Sequence, residues 1–250
     1  LSGLYPAGVI CEIIKDDGEM ARRDELFTFA KEHKLKMITI KDLIQHRIQT
    51  ERFIDKIETV DMPTEHGHFQ LTCYEDMINK KYHYALTMGD WKKNDPVMVR
   101  VHSECITGDV FGSQRCDCGP QLSTAMQMIA KEGKGAVLYM SQEGRGIGIA
   151  NKLKAYKLQE QGADTVEANN KLGFDADLRD YGVGAQMMLD LNLTKLRLIT
   201  NNPKKIIGLE GYGLEVVERV PIQIEACQHN IKYLSTKAQK LGHMLKKHGG

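Results

Sequence analysis

Apolar positions along the chain follow two rhythms, one of period two and one near 3.6, and they change over at clear breaks. Within residues 1–47, VICEII (9–14) predicts a strand and DDG (16–18) a turn. DELFTFAKEHK (24–34) has the spacing of an amphipathic helix, and MITI (37–40) runs on into a last helix, KDLIQHR. These apolar faces have few partners within 47 residues, so the piece is expected to be a fragment or to pack on something further. IQTER, at about 48–52, reads as a connector. Beyond it, FIDKIETVDMPTEHGHFQLTCYE and YHYALTMG look like β-hairpin material. VMVRVH (97–102) alternates, which places Arg100 and His102 on one face and Val97, Val99 and Val101 on the other. The same parity brings Glu104 to the polar face beside Cys105.

A loop with three cysteines comes next, and Gly119-Pro120 then opens a helix in which Leu122, Ala125, Met126, Ile129 and Ala130 recur at helical spacing. AVLYM (136–140) reads as a buried strand, SQEGRGIG (141–148) as a loop and ANKLKAYKLQEQG as a helix. GAQMMLDL (184–191) predicts another helix, before strand LRLIT (196–200), loop NNPKK and strand LEVVERV (214–220). HNIKYLSTKAQKLGHMLKKHGG is a basic amphipathic helix, expected to be a solvated face with a frayed end. This alternation predicts an α/β layered domain over 48–250, with a mixed β-sheet flanked by helices, and a short α/β fragment over 1–47.

Composition narrows the classes. Lys plus Arg (34) and Asp plus Glu (33) leave a net charge of +1, so no global field points to nucleic acid or a membrane surface. No apolar run reaches the roughly eighteen residues of a membrane span. LSGLYPAGVICEI lacks the basic segment and longer apolar core of a secretory signal, and the missing initiator Met suggests a piece of something longer. Six cysteines, three of them clustered, suit a reducing compartment, with cytoplasm as the default.

The clustered thiols are Cys105, Cys116 and Cys118. That spacing is unfit for a hairpin disulfide framework but suits three thiolates around one Zn2+, the fourth tetrahedral place left open as in catalytic sites. Asp117 could orient the ligands, and the adjoining helix N-terminus favours thiolate. Cys11, Cys73 and Cys227 are isolated and expected in the core. SQEGRGIG lies between a strand and a helix, where backbone N–H groups can hold phosphate; Arg145 adds a fork and Glu143 a carboxylate suited to a purine edge. Alternatively it is a tight turn. DLRDYG puts Asp177 and Arg179 together, by itself a surface pair, and TNNPKK (200–205) has the groups of a phosphate loop. Tyr156 fits the core by periodicity, and His66 and His68 suit either a metal or a solvent-facing strand.

In order, RVHSEC-x10-CDCG, QEGRGIG, KLKAY, DTVEANNKLGF, DLRDYG and TNNPKK closely resemble GTP cyclohydrolase II over roughly residues 53–248. SGLYPAGVICEI and the helix-strand-helix after it resemble the C-terminal end of a 3,4-dihydroxy-2-butanone 4-phosphate synthase. The resemblance implies zinc on Cys105, Cys116 and Cys118, and GTP contacts at Arg100, Val101, His102, Ser103, Glu104, Gln121, Glu143, Gly144, Arg145, Thr165, Thr200 and Lys205. It further implies Asp177 as proton acceptor, Arg179 as proposed nucleophile and Tyr156 in ring opening. A homodimer, Mg2+ on the triphosphate, and formate and pyrophosphate as products are also implied. Two rival readings are a zinc-stapled nucleotide-binding module and residual synthase activity. Glu12 matches an acidic residue of the synthase site, but its acidic loop and metal-binding histidine have no counterpart here, so no such activity is expected.

Overall fold

The computed structural model describes residues 3–175, 179, 181–210, 212–242 and 244. It divides into two compact units, Leu1–Arg47 and Ile48–Gly250. In the first, α1 (Arg23–Glu32) starts where the Arg22 N–H donates to the Glu25 carboxylate at 2.9 Å, with Asp24 and Glu25 in the first turn facing the positive end of the helix dipole. Helix α2 (Ile40–Thr50) runs across the boundary. The strand expected over VICEII is not formed; the first unit has one isolated bridge, Ile14 to Met20. A strand is stable only where a neighbour takes its N–H and C=O groups, and here pairing is confined to the end of the segment, where Ile13 O accepts the Ala21 N–H at 2.9 Å. Val9 and Ile10 are accordingly 99% and 98% exposed, and Cys11 is exposed rather than core.

The second unit holds seven strands. They are β1 (Ile54–Thr64), β2 (Gly67–Asp76), β3 (Lys81–Met88), β4 (Pro96–Ser103), β5 (Gly135–Met140), β6 (Lys195–Ile199) and β7 (Glu215–Val220). Their spatial order is β1-β2-β3-β5-β4-β6-β7. β1, β2 and β3 form an antiparallel meander, and β3 pairs antiparallel with β5. β4, β5, β6 and β7 run parallel. The sheet is therefore mixed, as the hairpin-like first part of the sequence implied.

Among the described residues, seven α-helices connect and cover it: α3 (Ile106–Asp109), α4 (Cys118–Glu132), α5 (Gly148–Glu160), α6 (Thr165–Lys171), α7 (Gly182–Asp190), α8 (Pro203–Glu210) and α9 (Ile231–Leu241). Three were not expected from the apolar pattern: α3, a single turn inside the cysteine loop, α6 and α8. α6 is too short to show a period, but Asp164 caps it, accepting the Val166 N–H at 2.8 Å and the Glu167 N–H at 3.0 Å. α8 grows directly out of the NNPKK loop, with Pro203 at its first position.

Both faces of β4 are covered, so Val97 to His102 are all buried. On one face Val97, Val99 and Val101 meet Leu138, Leu196, Leu198, Met187 and Met188. On the other, Met98 and Val137 pack with Ile129 and Met126 of α4 and with Phe69. Each such fully buried side chain contributes about 1.5–3 kcal/mol of transfer free energy. The second apolar face gives way to Arg100 and His102 at the carboxyl end of β4, which is where an open α/β sheet leaves a crevice. Among the described residues no helix is long and apolar enough to cross a membrane. Cys73 and Cys227 are only partly buried, so neither fits the core position expected for it.

Candidate active site

One cavity sits at the carboxyl ends of β4, β5 and β6. The Cys105, Cys116 and Cys118 sulfurs all lie within 4.8 Å of one another on its wall. Cys105 follows β4 and caps α3, Cys116 ends the loop, and Cys118 is the first residue of α4. The Cys105 and Cys116 Sγ atoms are 3.7 Å apart. A tetrahedral zinc centre with Zn–S near 2.3 Å spaces its sulfurs by about 3.8 Å, so the separation fits. Hydrogen bonds from the Cys116 and Cys118 thiols, and the Lys152 ammonium, favour Cys105 as thiolate. That sulfur in turn pushes the Cys116 thiol up to about 11 and Cys118 well above its usual value. Three sulfurs so close cannot all ionise without a cation, which is what a divalent metal supplies. Gly108 leaves the necessary room: a Cβ there would stand 3.0 Å from Cys116 Sγ and 3.2 Å from Cys105 Sγ.

Around the sulfurs the polar groups are locked. Asp109, at the end of α3, accepts the Cys105 N–H at 2.9 Å and the Tyr139 hydroxyl at 2.9 Å. Both its oxygens lie 3.1 Å from His102 Nε2. Burial pushes the His102 pKa down, so a neutral imidazole donates Nε2–H to Asp109. Glu143 accepts the Ile106 N–H at 2.7 Å with one oxygen, and the Gly144 N–H and Lys152 Nζ, each at 2.8 Å, with the other. Its carboxylate thus anchors α3 to the QEGRGIG turn, a structural duty beyond the purine contact expected of it. Gly144 and Arg145 both adopt left-handed φ, 62° and 61°. For Arg145 that costs on the order of 1 kcal/mol, strain of the kind found at binding loops.

The cationic side of the cavity comes from three strands' ends. Arg100 NH1 donates to Ile199 O at 3.0 Å and NH2 to Gln121 Oε1 at 2.5 Å. Burial lowers its pKa to about 10, with Asp117 and Cys118 opposing, so it stays charged at neutral pH. Arg100 Nε and His102 Nδ1 are buried without a partner among the described residues. Such atoms cost free energy until something satisfies them. Lys205 is 6% exposed and donates to Val101 O at 2.7 Å, while the Thr200 hydroxyl accepts the Asn202 N–H at 3.0 Å. Arg179 NH1 reaches Ser103 Oγ at 3.4 Å. Tyr156 of α5 has its hydroxyl 3.5 Å from Thr107 Oγ1 and its ring under the Arg115 guanidinium at 5.1 Å. Burial raises its pKa, so it is protonated at neutral pH.

The cavity therefore gathers Arg100, His102, Ser103, Glu104, the three cysteines and Gln121 from the first part of the site. From later elements it gathers Glu143, Gly144, Arg145, Tyr156, Thr165, Arg179, Thr200 and Lys205. Val101 does not line it; strand parity turns its side chain into the apolar core, and only its carbonyl serves the site. Asp177 lies outside the described residues. His66 and His68 belong to no metal-ligand cluster among the described residues.

Several site residues escaped the sequence reading. Lys152 donates to Cys105 Sγ at 3.1 Å, Thr107 at 2.9 Å and Glu143 at 2.8 Å. Its signal was its place at the head of the KLKAY motif, in a helix whose other lysines face solvent. Tyr233 and Lys237 line the cavity from α9, so this helix is not the solvated face expected of it. Lys237 is 7% exposed and donates to Asp117 at 2.6 Å; Asp117 in turn accepts Gln121 Nε2 at 2.6 Å.

Comparison with known proteins finds relatives for both parts of the chain. Residues 1–46 match 3,4-dihydroxy-2-butanone 4-phosphate synthase. The riboflavin biosynthesis protein RibBA of Aquifex aeolicus is 60% identical over 245 residues, covering 98% of this chain and 60% of that protein. RibBA of Bacillus cytotoxicus is also 60% identical, with 98% and 62% covered. The chain thus spans less than two thirds of the length of these relatives. A crystal structure of RibBX, a two-domain 3,4-dihydroxy-2-butanone 4-phosphate synthase from A. baumannii, superimposes with TM-score 0.50 at 28% identity, covering 86% of this chain and 53% of that one. Residues 55–221, which include the sulfur triad and every strand-end cation named above, match GTP cyclohydrolase II, and it is to that family that the chain belongs.

Proposed function

We propose that the chain opens the imidazole ring of GTP at C8 and releases formate and pyrophosphate, leaving a diaminopyrimidinone ribonucleotide, as the first step of riboflavin biosynthesis. The observation that carries this reading is the gathering of three sulfurs within 4.8 Å of one another on the wall of a cavity that Arg100, Arg145, Arg179 and Lys205 also line. Cys105, Cys116 and Cys118 would hold one Zn2+ per chain. When bound, such an ion polarises a water at its open position and brings the pKa of that water towards about 7.

The chain's own groups then divide the work. Tyr156, kept protonated by burial and lying next to Thr107 and Lys152, would give its proton to the ring nitrogen leaving C8. Arg145 and the Gly144 backbone would hold the nucleotide across the strained turn. Lys205 and Arg100 would neutralise the triphosphate and the Thr200 hydroxyl would hydrogen-bond to it, while Mg2+ would supply further positive charge. Arg179 would stabilise charge developing on the α-phosphoryl oxygens rather than attack phosphorus, since a protonated guanidinium is a poor nucleophile. Asp177 is assigned the proton from the attacking water. Homodimeric assembly and a reducing, cytoplasmic setting suit these thiols. In the whole protein the first unit would belong to a second catalytic half acting on ribulose 5-phosphate.

The test measures formate and pyrophosphate released from GTP by purified chain. Tyr156→Phe is expected to lower formate release about 100-fold or more while GTP binding persists. Cys116→Ser should lose both zinc and formate release. Formate production that survives Cys116→Ser and chelation would sink the proposal.

A further inference from the structure

The matched family region ends at residue 221, yet α9 begins at Ile231 and sends Tyr233 and Lys237 into the wall of the cavity. The Lys237 ammonium is fixed rather than solvated. Its Nζ lies 2.6 Å from Asp117 Oδ1 and 4.6 Å from the centre of the Tyr233 ring. Asp117 is 2% exposed, caps α4 and stands between Cys116 and Cys118. Its second oxygen accepts Gln121 Nε2 at 2.6 Å, and Gln121 passes the restraint on to Arg100. Beyond α9 the chain is tied to another residue of the cavity lining, where the Met244 N–H donates to Asn201 O at 2.8 Å. A buried ammonium and a buried carboxylate hold each other because either alone, out of water, is costly. The backbone carrying Asp117 carries two of the three sulfurs, so whatever fixes Asp117 fixes them.

We propose that Lys237 is a positioning residue for the metal loop. Through its ion pair with Asp117, the docking of α9 sets the spacing of the Cys116 and Cys118 sulfurs and thereby the tenacity with which zinc is held. This rests on the reading of the three sulfurs as a zinc site. Its consequence is that a helix outside the matched family region governs metal retention without touching the metal.

The experiment tracks zinc leaving the 250-residue chain into a chromogenic chelator, alongside the thermal midpoint. Lys237→Met is expected to release zinc at least tenfold faster than the unaltered chain. Asp117→Asn should do the same, and the double variant should be no faster than the faster single, since both act through one pair. Lys237→Arg, which keeps the charge, should recover part of the retention. Leu198→Ala, a core change in β6, gives the release expected from lost stability alone. Should Lys237→Met not fold, Asp117→Asn and Lys237→Arg carry the same comparison. Zinc retention by Lys237→Met equal to that of the unaltered chain, effects that add in the double variant, or release no faster than Leu198→Ala at matched stability would each overturn the role given to Lys237. An unaltered chain that binds no zinc would overturn the underlying site reading as well, and so is a distinguishable result.

Discussion

Lys152 shows how one side chain can organise a site. Burial opposes its charge, but the Glu143 carboxylate and the Cys105 sulfur outweigh that cost and raise its pKa. The ammonium therefore stays charged beside the sulfurs and ties them to the QEGRGIG turn. His83 shows the opposite balance. It is 1% exposed, and its Nδ1 accepts the Ser141 N–H at 3.0 Å, which only a neutral ring protonated at Nε2 can do. Burial lowers its pKa below the usual 6.5, with Asp76 partly opposing. In the unfolded chain this histidine would protonate near pH 6.5. The folded form resists protonation, so its contribution is complete above that pH and is lost as pH falls towards the folded pKa. Thermal midpoints measured from pH 7 down to 5 should fall more steeply for the unaltered chain than for His83→Gln; equal slopes would remove His83 as a cause.

The crossing of α3 over α4 decides whether the sulfurs meet. Gly119 lets the two helices approach: a Cβ there would stand 2.3 Å from Gly108 O, and backbone cannot yield as a side chain can. Gly119→Ala should cost about 1–3 kcal/mol, read as a lower urea midpoint, and should weaken zinc retention with it. An unchanged midpoint would mean the helices can part freely. Elements with long apolar rhythm were legible in the sequence. α4, α7 and β4 to β7 lie within a residue or two of their expected bounds, because their buried faces recur often enough to show a period. α6 and α8 were not, being too short for a period and set by a cap and a proline. VICEII reads as a strand by composition alone, but strand formation needs a partner, which composition does not supply.

At the scale of the molecule, a cation that binds only the folded chain adds to stability by mass action. On the proposed zinc reading, a chelator should lower the thermal midpoint by several degrees and make Cys105, Cys116 and Cys118 newly reactive to a thiol reagent. Full thiol protection after chelation would show that folding alone shields them. The sulfur triad itself was legible because all three thiols fall within fourteen residues, 105 to 118. Arg100, Arg145 and Lys205 were legible only as members of ordered motifs, since each alone resembles any surface cation. By itself the sequence determined the alternation of strands and helices, the mixed sheet and the metal-ligating chemistry, all of which depend on residue type and local spacing. Only the tertiary structure decided that Lys152 and Lys237 face sulfur and carboxylate rather than water, and that Glu143 braces a helix. Those outcomes depend on which distant surfaces meet, 120 residues apart in the case of Lys237 and Asp117. Local pattern does not encode such meetings, and the physical cost of burying an unpaired charge is what enforces them.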